Sequence, residues 1–224
     1  MAKKKQKPPV KKSNLKTIYI VAALLIISAT GIYLLASGDN ARDTSQGELP
    51  AGDYTKLNRP AAYEPGKVKI MEFMKFDCIH CYDLHKNTPQ LLQKYGDKVE
   101  ITYIPIVFPR QSTKSIEAYL IAEQMGKGEQ MRDALFRAKF EKETDVMEST
   151  IALETIAADI GLGADFNQKL ESGALKNAAL GNLDLMRDYN VDSTPTVIIN
   201  GNLMAVPTII NLDKVIGSLL EKNS

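Results

Sequence analysis

The stretch Lys67-Val-Lys-Ile-Met-Glu-Phe-Met-Lys-Phe-Asp-Cys78-Ile-His-Cys81 decides the fold of this chain. Polar and apolar side chains alternate at the start of residues 67–74, and the end of this segment is mostly apolar. This pattern is typical of a strand entering a sheet that is buried on both faces. Two cysteines follow, and a helical pattern continues to Tyr95-Gly96, where the glycine is a common helix stop. Residues 99–107 predict a second strand. The order strand, helix, strand predicts a right-handed βαβ unit with its two strands parallel.

A long helical stretch separates this unit from the rest of the sheet. Between about residues 113 and 189, apolar side chains recur at helical spacing and glycines divide the stretch into four or five helices. A strand pattern then returns at 195–200, and Asn200-Gly201 is a strong hairpin signal before a short apolar segment at 203–206. Asn211 is predicted to cap a final helix. The order is therefore βαβ, helical insert, ββα.

The amino-terminal region differs sharply in composition from everything after it. Residues 1–16 hold seven lysines and no acidic residue, and residues 17–37 form an uncharged apolar run. As a helix this run would span roughly 31 Å, close to the hydrocarbon thickness of a bilayer. The positive-inside rule then predicts a single-pass anchor with a cytoplasmic amino terminus and an extracytoplasmic remainder. A cleaved signal peptide remains the alternative, because Ala36-Ser37-Gly38 is a passable cleavage site.

The sequence divides into four parts by composition. A basic tail (1–16) and a membrane anchor (17–37) precede residues 38–66, whose polar residues, Gly and Pro predict a spacer. A globular domain occupies 67–222. Without the seven amino-terminal lysines, the chain's 28 basic residues fall to 21 against 27 acidic residues, a net charge of −6 beyond residue 37. This acidic balance argues against nucleic acid as a partner, because phosphate binding needs clustered cations.

Cys78 and Cys81 are the only cysteines of the chain. At a helix start, one turn brings the two sulfurs together, and the unpaired N–H groups and positive dipole end favour a thiolate on Cys78. Cys81, one turn inside, is expected to be more buried and to act as the resolving thiol. His80 can stabilise the Cys78 thiolate, and Ile79 adds an apolar surface beside the sulfur. This arrangement predicts thiol–disulfide exchange with the cysteine pair itself as the redox group and no separate cofactor.

Two other interpretations of the cysteine pair stay open. The pair could be a plain structural disulfide, although disulfide-stapled scaffolds usually spread their cysteines across the fold. A metal site could combine Cys78 and Cys81 with His80 and His85. Adjacent His80 and Cys81 would struggle to point at one ion, and zinc ligands usually come from separate segments. His85 by itself is expected to be a surface or satisfied histidine, and no metal is expected.

Thr194-Pro195 precedes the third strand and allows two interpretations. A cis bond before Pro195 would turn the Thr194 backbone outward beside the disulfide, where it could hydrogen-bond an extended substrate. A proline that simply starts an edge strand is the alternative, because proline removes a ladder donor. The local sequence does not decide between them.

The order of these features resembles the DsbA-type branch of the thioredoxin superfamily, over residues 64–222. The resemblance implies a thioredoxin-like α/β fold with an inserted helical subdomain, in a bacterial enzyme whose globular domain is periplasmic. Such an enzyme introduces disulfides into exported, cysteine-containing polypeptides. A membrane redox partner, such as a quinone-linked oxidase, would reoxidise it. The alternatives are a reductase or isomerase fed electrons from the membrane, for example in cytochrome maturation, and a non-enzymatic metal- or protein-binding module.

The resemblance also implies roles for single residues. It implies a nucleophilic Cys78, a resolving Cys81, a thiolate-stabilising His80 and a cis-Pro195. Glu72, six residues before the first cysteine, occupies the place of the family's buried acidic residue, which is thought to ease proton transfer to the second cysteine. From the local pattern alone, Glu72 would be an edge-facing carboxylate.

Two positions depart from the family's best-known member. Ile79 stands where that member has proline, and Thr194 stands where it has an apolar β-branched residue. The resemblance implies that both positions contact the active sulfur and the substrate and tune the potential and the choice of partner. The strength of this protein as an oxidant therefore does not carry over from the family.

Overall fold

A mixed five-stranded sheet organises residues 50–222, the part of the chain that this computed structural model describes. The strands are β1 (Tyr54–Lys56), β2 (Val68–Met74), β3 (Val99–Pro105), β4 (Thr196–Ile199) and β5 (Leu203–Ala205). Their spatial order is β1-β5-β4-β2-β3. β2 and β3 run parallel, and the other neighbouring pairs are antiparallel. β2, which leads into the cysteine pair, is therefore flanked by a strand on each side.

Helices follow β2, separate β3 from β4 and follow β5, in the predicted order. They are α1 (Ile79–Tyr95), α2 (Lys114–Gln124), α3 (Gly128–Glu141), α4 (Thr150–Asp159), α5 (Ala164–Ser172), α6 (Lys176–Asp188) and α7 (Ile209–Lys222). Helices α2 to α6 form the helical insert between β3 and β4, so the prediction of a helical insertion in an α/β fold is confirmed. The hairpin turn at Asn200-Gly201 is confirmed as well, because it joins the antiparallel β4 and β5.

The side chains of β2 divide between the two faces of the sheet, and both faces are buried toward the end of the strand. Val68 and Ile70 pack under α1 and α7, in a cluster with Leu84 and Val215. Further along the same face, Met74 joins a larger cluster made with the helical insert. The opposite face carries smaller apolar contacts from Phe73, Ile104 and Ile198 to the end of α6 and the loop after it. The cysteine pair at the end of β2 thus lies where sheet, α1 and helical insert meet.

The spacer predicted for residues 38–66 is wrong from Tyr54 onward. Tyr54–Lys56 forms β1, which pairs antiparallel with β5 in the register Tyr54 to Ala205. The segment after it stays attached, since the Ala62 N–H donates to the Asn200 carbonyl at 2.7 Å. A three-residue strand is too short to show a period, and its partner lies about 150 residues away in the sequence.

The capping role predicted for Asn211 is also wrong. α7 begins at Ile209, and the buried Asn211 side chain instead holds the amino-terminal segment: its Oδ1 accepts from the Asp53 N–H at 2.7 Å. Its Nδ2 donates to the carbonyls of Asp53 and Val206 at 2.8 and 3.0 Å. The capping acceptor is Thr208 Oγ1, 3.3 Å from the Asn211 nitrogen.

The basic tail (1–16), the membrane anchor (17–37) and the first part of the spacer, up to residue 49, lie outside the described residues. Between residues 50 and 222, no helix combines the length and the apolar character that crossing a membrane requires. The sequence interpretation of the amino-terminal region therefore stays a prediction.

Candidate active site

Cys78 is the residue that caps the amino terminus of α1. Its backbone is extended, and its Sγ accepts a hydrogen bond from the Cys81 N–H at 3.4 Å. The sulfur therefore occupies the place that a Ser or Asp oxygen takes at most helix starts, where unpaired N–H groups point at it. Both cysteines are free thiols in the structure. Cys78 is partly exposed, so another thiol can reach it, whereas Cys81 is fully buried.

The pKa values of the two thiols are shifted in opposite directions. The pKa of Cys78 is lowered to about 5, mainly by the hydrogen bond from Cys81. Burial opposes this shift, whereas the Thr194 side chain and the backbone N–H groups of Cys81 and His80 add to it. The pKa of Cys81 is raised, first by its hydrogen bond to Cys78 and then by burial. A thiolate is the nucleophile in disulfide exchange. The geometry therefore makes Cys78 the attacking sulfur and Cys81 the resolving one.

His80 and Ile79 lie on the exposed side of the cysteine pair. Ile79 is 48% exposed and presents an apolar surface next to Cys78. The His80 side chain is exposed, and within residues 50–222 its ring makes no hydrogen bond to Cys78. The lowered pKa of Cys78 draws on the backbone N–H of His80. A stabilising role for the imidazole therefore stays a prediction.

We expect His80→Ala to raise the pKa of Cys78 but to leave it well below the ordinary thiol value of 9.0, because the variant keeps the backbone N–H donors. The measurement is a titration of the ultraviolet absorbance of the thiolate in the wild type and the variant. An unchanged midpoint would remove the imidazole from the stabilisation of Cys78.

The Thr194–Pro195 peptide bond is cis, which decides between the two interpretations of this proline. β4 begins at Thr196 and lies between β5 and β2, so Pro195 does not start an edge strand. The Cys78 thiol donates to the Thr194 carbonyl oxygen at 3.2 Å. The loop before β4 and the start of α1 thus meet at the reactive sulfur, although 116 residues separate them in sequence.

Glu72 lies beneath the cysteine pair and is 3% exposed. The edge-facing position that its local pattern suggests is wrong, because β2 has β4 on one side and β3 on the other. Burial raises the pKa of Glu72 to about 7, the Arg132 guanidinium opposes this rise, and the Cys78 thiolate adds to it. A carboxyl group with such a pKa can hold or release a proton at neutral pH.

A groove of about 640 Å³ opens beside the reactive sulfur. It runs between the first turns of α1 and the start of α7 and reaches the cis-proline loop. Its walls include Leu84, Pro195 and Ile210, the last of which is 73% exposed. His80 and Thr194 also line it, so the predicted substrate-facing residue Thr194 and the groove form one continuous surface.

No three or more His, Cys, Asp or Glu side chains come together as metal ligands in the described part of the chain. His85 makes contacts of its own with α3. Its Nε2 lies 3.5 Å from Asp133 Oδ1, and its ring stacks on Phe136 with the centroids 5.0 Å apart. The residues of the alternative metal site are therefore not brought to one point.

Sequence reasoning missed two charged residues near the site. Lys75, directly after β2, is 8% exposed and lies 3.2 Å from Asp77, and its carbonyl accepts from the Cys78 N–H at 3.2 Å. Arg132, in α3, is also 8% exposed and reaches the sheet below the cysteines. The strand pattern could have drawn attention to Lys75, a lysine in an apolar run. No sequence signal distinguishes Arg132 from the exposed arginines of the same insert.

A known family matches most of the chain. The family model described as Thioredoxin matches residues 64–217, which include every strand except β1 and all seven helices up to the last turns of α7. The chain belongs to this thioredoxin family.

Relatives within the family share the name DsbA. The thiol:disulfide interchange protein DsbA of Pseudomonas syringae pv. tomato is 25% identical over 194 residues, covering 84% of each chain. The protein of the same name from Burkholderia cepacia is 21% identical over 156 residues, which are 70% of this chain and 74% of that one.

Solved DsbA structures have the same fold. Pseudomonas aeruginosa DsbA superposes with a TM-score of 0.62 at 22% identity, covering 76% of this chain and 92% of that one. Reduced DsbA1 of Neisseria meningitidis gives a TM-score of 0.60 at 19% identity, covering 80% of this chain and 98% of that one. At these identities the structures show a shared thioredoxin-like fold with its helical insertion. Together, the DsbA relatives and the cysteine geometry identify this thioredoxin-family protein as a thiol:disulfide oxidoreductase.

Proposed function

We propose that this protein introduces disulfides into exported, cysteine-containing polypeptides. The observation that carries the proposal is the opposite shift of the two thiols, with the pKa of Cys78 lowered to about 5 and that of Cys81 raised. A thiolate that is stable at neutral pH stabilises the reduced state of the pair. A stabilised reduced state makes the corresponding disulfide a stronger oxidant.

The exchange begins with the oxidised Cys78–Cys81 disulfide. A substrate thiolate attacks Cys78 Sγ, the bond between the two cysteines breaks, and Cys81 leaves with the electron pair and takes up a proton. A second substrate thiolate then attacks the substrate sulfur of the mixed disulfide, which forms the substrate disulfide and releases Cys78 as a thiolate. Two substrate thiols are oxidised, and the cysteine pair is reduced by two electrons. The acidity of Cys78 makes it the better leaving group in the second step.

Glu72 is suited to the proton that Cys81 takes up. Cys81 is buried and its pKa is raised, so it leaves the disulfide as a strong base without direct access to bulk water. Burial also raises the pKa of Glu72 to about 7, so that the carboxyl group can donate a proton at neutral pH. We propose that Glu72 is the proton donor to Cys81.

The surface around Cys78 suits an unfolded or extended polypeptide. Ile79 is half exposed next to the sulfur, and the groove beside it carries the exposed Ile210. Thr194 contributes a backbone carbonyl that an extended chain can use once the Cys78 thiol no longer donates to it. We propose that Ile79 and Thr194 contact the substrate on either side of its cysteine.

We further propose that the protein works outside the cytoplasm, anchored by residues 17–37. The lysines of residues 1–16 and the uncharged run after them support this orientation. An anchor would keep the cysteine pair in one plane with a membrane partner, such as a quinone-linked oxidase, that accepts its electrons. DsbA names a bacterial protein in each of the relatives above, which supports a bacterial periplasmic location.

The test of the proposed function is oxidative refolding of a reduced, unfolded protein that contains several native disulfides. We expect the oxidised chain at equimolar concentration to form disulfides in the substrate while its own Cys78–Cys81 pair becomes reduced. Alkylation with a mass-labelled maleimide reports the free thiols of the substrate and of the Cys78–Cys81 pair in one gel. Transfer of electrons in the opposite direction, from the reduced chain to substrate disulfides, would contradict the proposal and indicate a reductase.

A further inference from the structure

A buried arginine of the helical insert reaches the sheet next to Glu72. Arg132, in α3, is only 8% exposed, and its Cζ lies 3.5 Å from the centroid of the Tyr103 ring. Tyr103 is the register partner of Glu72 on the neighbouring parallel strand. Residues paired in this way project from the same face of a sheet. The Arg132 guanidinium therefore lies over Tyr103, beside Glu72, on the side of the sheet that carries the cysteine pair.

Both charged groups keep an unsatisfied polar atom in this region. Glu72 Oε1 and Arg132 Nε have no hydrogen-bond partner among the residues that the structure describes, and both side chains are more than nine-tenths buried. A buried charge is costly unless an opposite charge compensates it. Arginine stays protonated in proteins, whereas a carboxyl group can take up a proton. Arg132 is thus the fixed charge of the pair, and Glu72 is the variable one.

We propose that Arg132 is a positioning residue of the exchange site, whose fixed charge, brought in by the helical insert, sets the proton affinity of Glu72 beneath the cysteines. The effect on turnover rests on the proposed function. The coupling between the two buried side chains does not, because it is a property of the folded chain.

The groups around Glu72 make the direction of this coupling clear. Burial is the largest influence on the pKa of Glu72 and raises it, Arg132 lowers it, and the Cys78 thiolate raises it. Burial raises the pKa of Tyr103 and Tyr119 and lowers that of His85, and the same guanidinium acts on all three in the downward direction. The start of α1 contributes the cap Cys78 and Cys81, and the neighbouring strands contribute Tyr103 from β3 and the uncharged Val197 from β4. Helix α3 contributes Arg132, together with Glu129 and Asp133, which act on Tyr103 and His85.

Removal of the guanidinium would leave Glu72 buried without the cation that lowers its pKa. The carboxyl group would then stay protonated through the neutral range and could release its proton only at alkaline pH. In the wild type, Arg132 keeps Glu72 able to change its charge near neutrality. The helical insert therefore acts on the chemistry of the cysteine pair through the charge of this residue.

The experiment is a pH titration of Glu72 in the reduced full-length chain. Glutamate is labelled with ¹³C at the carboxyl carbon, and the Glu72 signal is assigned by its loss in Glu72→Gln. In the wild type we expect a midpoint near 7. In Arg132→Met we expect the midpoint to rise by about one pH unit or more, a tenfold or greater increase in proton affinity, as for a carboxyl group that loses a nearby cation.

Two variants of the same helix separate charge from packing. Arg132→Lys keeps the positive charge and is expected to restore a midpoint close to that of the wild type. Arg137→Met makes the same replacement at an exposed arginine, which pairs with Asp133 at 3.6 Å and Glu141 at 3.3 Å, and is expected to leave the midpoint of Glu72 unchanged. Should Arg132→Met fail to fold, Arg132→Gln serves the same comparison. An unchanged midpoint in the neutral Arg132 variant, or an equal shift in Arg137→Met, would overturn the proposal.

A second readout links the coupling to turnover. The pH profile of disulfide transfer is expected to shift to higher pH in Arg132→Met. The profile of Glu72→Gln is expected to stay the same when Arg132→Met is added to it, because the arginine acts only through the glutamate. A further shift on the Glu72→Gln background would mean a merely structural role. If the chain transferred no disulfides at all, the proposed function would fail while the Glu72 titration still decided the role of Arg132.

Discussion

Replacement of Cys78 by Ser abolishes disulfide transfer, down to the rate without protein. Cys78 is the partly exposed thiol with the lowered pKa, and no other thiol of this chain can take its place because Cys81 is fully buried. A serine hydroxyl neither forms a disulfide nor ionises at neutral pH. The measurement is the oxidative refolding assay with equimolar protein.

The fold of the Cys78→Ser variant is expected to survive, which makes the loss interpretable. Cys78 is the amino-terminal cap of α1, and serine is among the residues that cap helices best. Circular dichroism and thermal unfolding are the controls. Substantial transfer by a folded Cys78→Ser protein would show that the cysteine pair is not the reactive centre.

Replacement of Cys81 by Ser has the second large effect, because Cys78 can still form a mixed disulfide with a substrate while the internal thiol that resolves it is gone. Cys78 keeps its exposure and can still form a mixed disulfide, but the return attack by Cys81 on that disulfide is lost. An adduct therefore lasts until a second substrate thiol reaches it. We expect the variant in cells to accumulate adducts of higher mass that disappear on reduction, whereas the wild type shows few. Non-reducing electrophoresis followed by mass spectrometry identifies the bound polypeptides.

The double variant with serine at both positions is the matched control for trapping. It adds Cys78→Ser to the Cys81→Ser replacement and so has no thiol, and it should form no adducts. Equal adduct levels in the double and single variants would mean that the species are not disulfides of Cys78. A Cys81→Ser strain without any adducts would count directly against an exchange mechanism.

Local features of the site could be predicted from the sequence because each depends on neighbours within one turn or one strand. The Cys78–Cys81 spacing, the strand before it and the Asn200-Gly201 hairpin are of this kind. The cis form of Pro195 needed either the structure or the resemblance. Its local sequence fits an edge strand equally well, and only the sheet order places β4 between two strands.

Features that depend on contacts distant in sequence could not be predicted in this way. Glu72 lies on an inner strand because β4 pairs on one side of it, and β4 begins more than 120 residues later. β1 exists only through its pairing with β5, and the side chain of Asn211 holds Asp53 across 158 residues. Arg132 resembles any arginine of an amphipathic helix until the insert folds back onto Tyr103. Such long-range packing decides which charges are buried together.

The reduction potential of the Cys78–Cys81 couple tests the central claim most directly. The chain is equilibrated with mixtures of reduced and oxidised glutathione, and the fraction of the reduced pair is quantified by alkylation. The lowered pKa of Cys78 predicts an oxidising couple, with a potential between about −180 and −120 mV. A value near about −270 mV, as for a thioredoxin-like reductant, would contradict the proposed direction of electron flow.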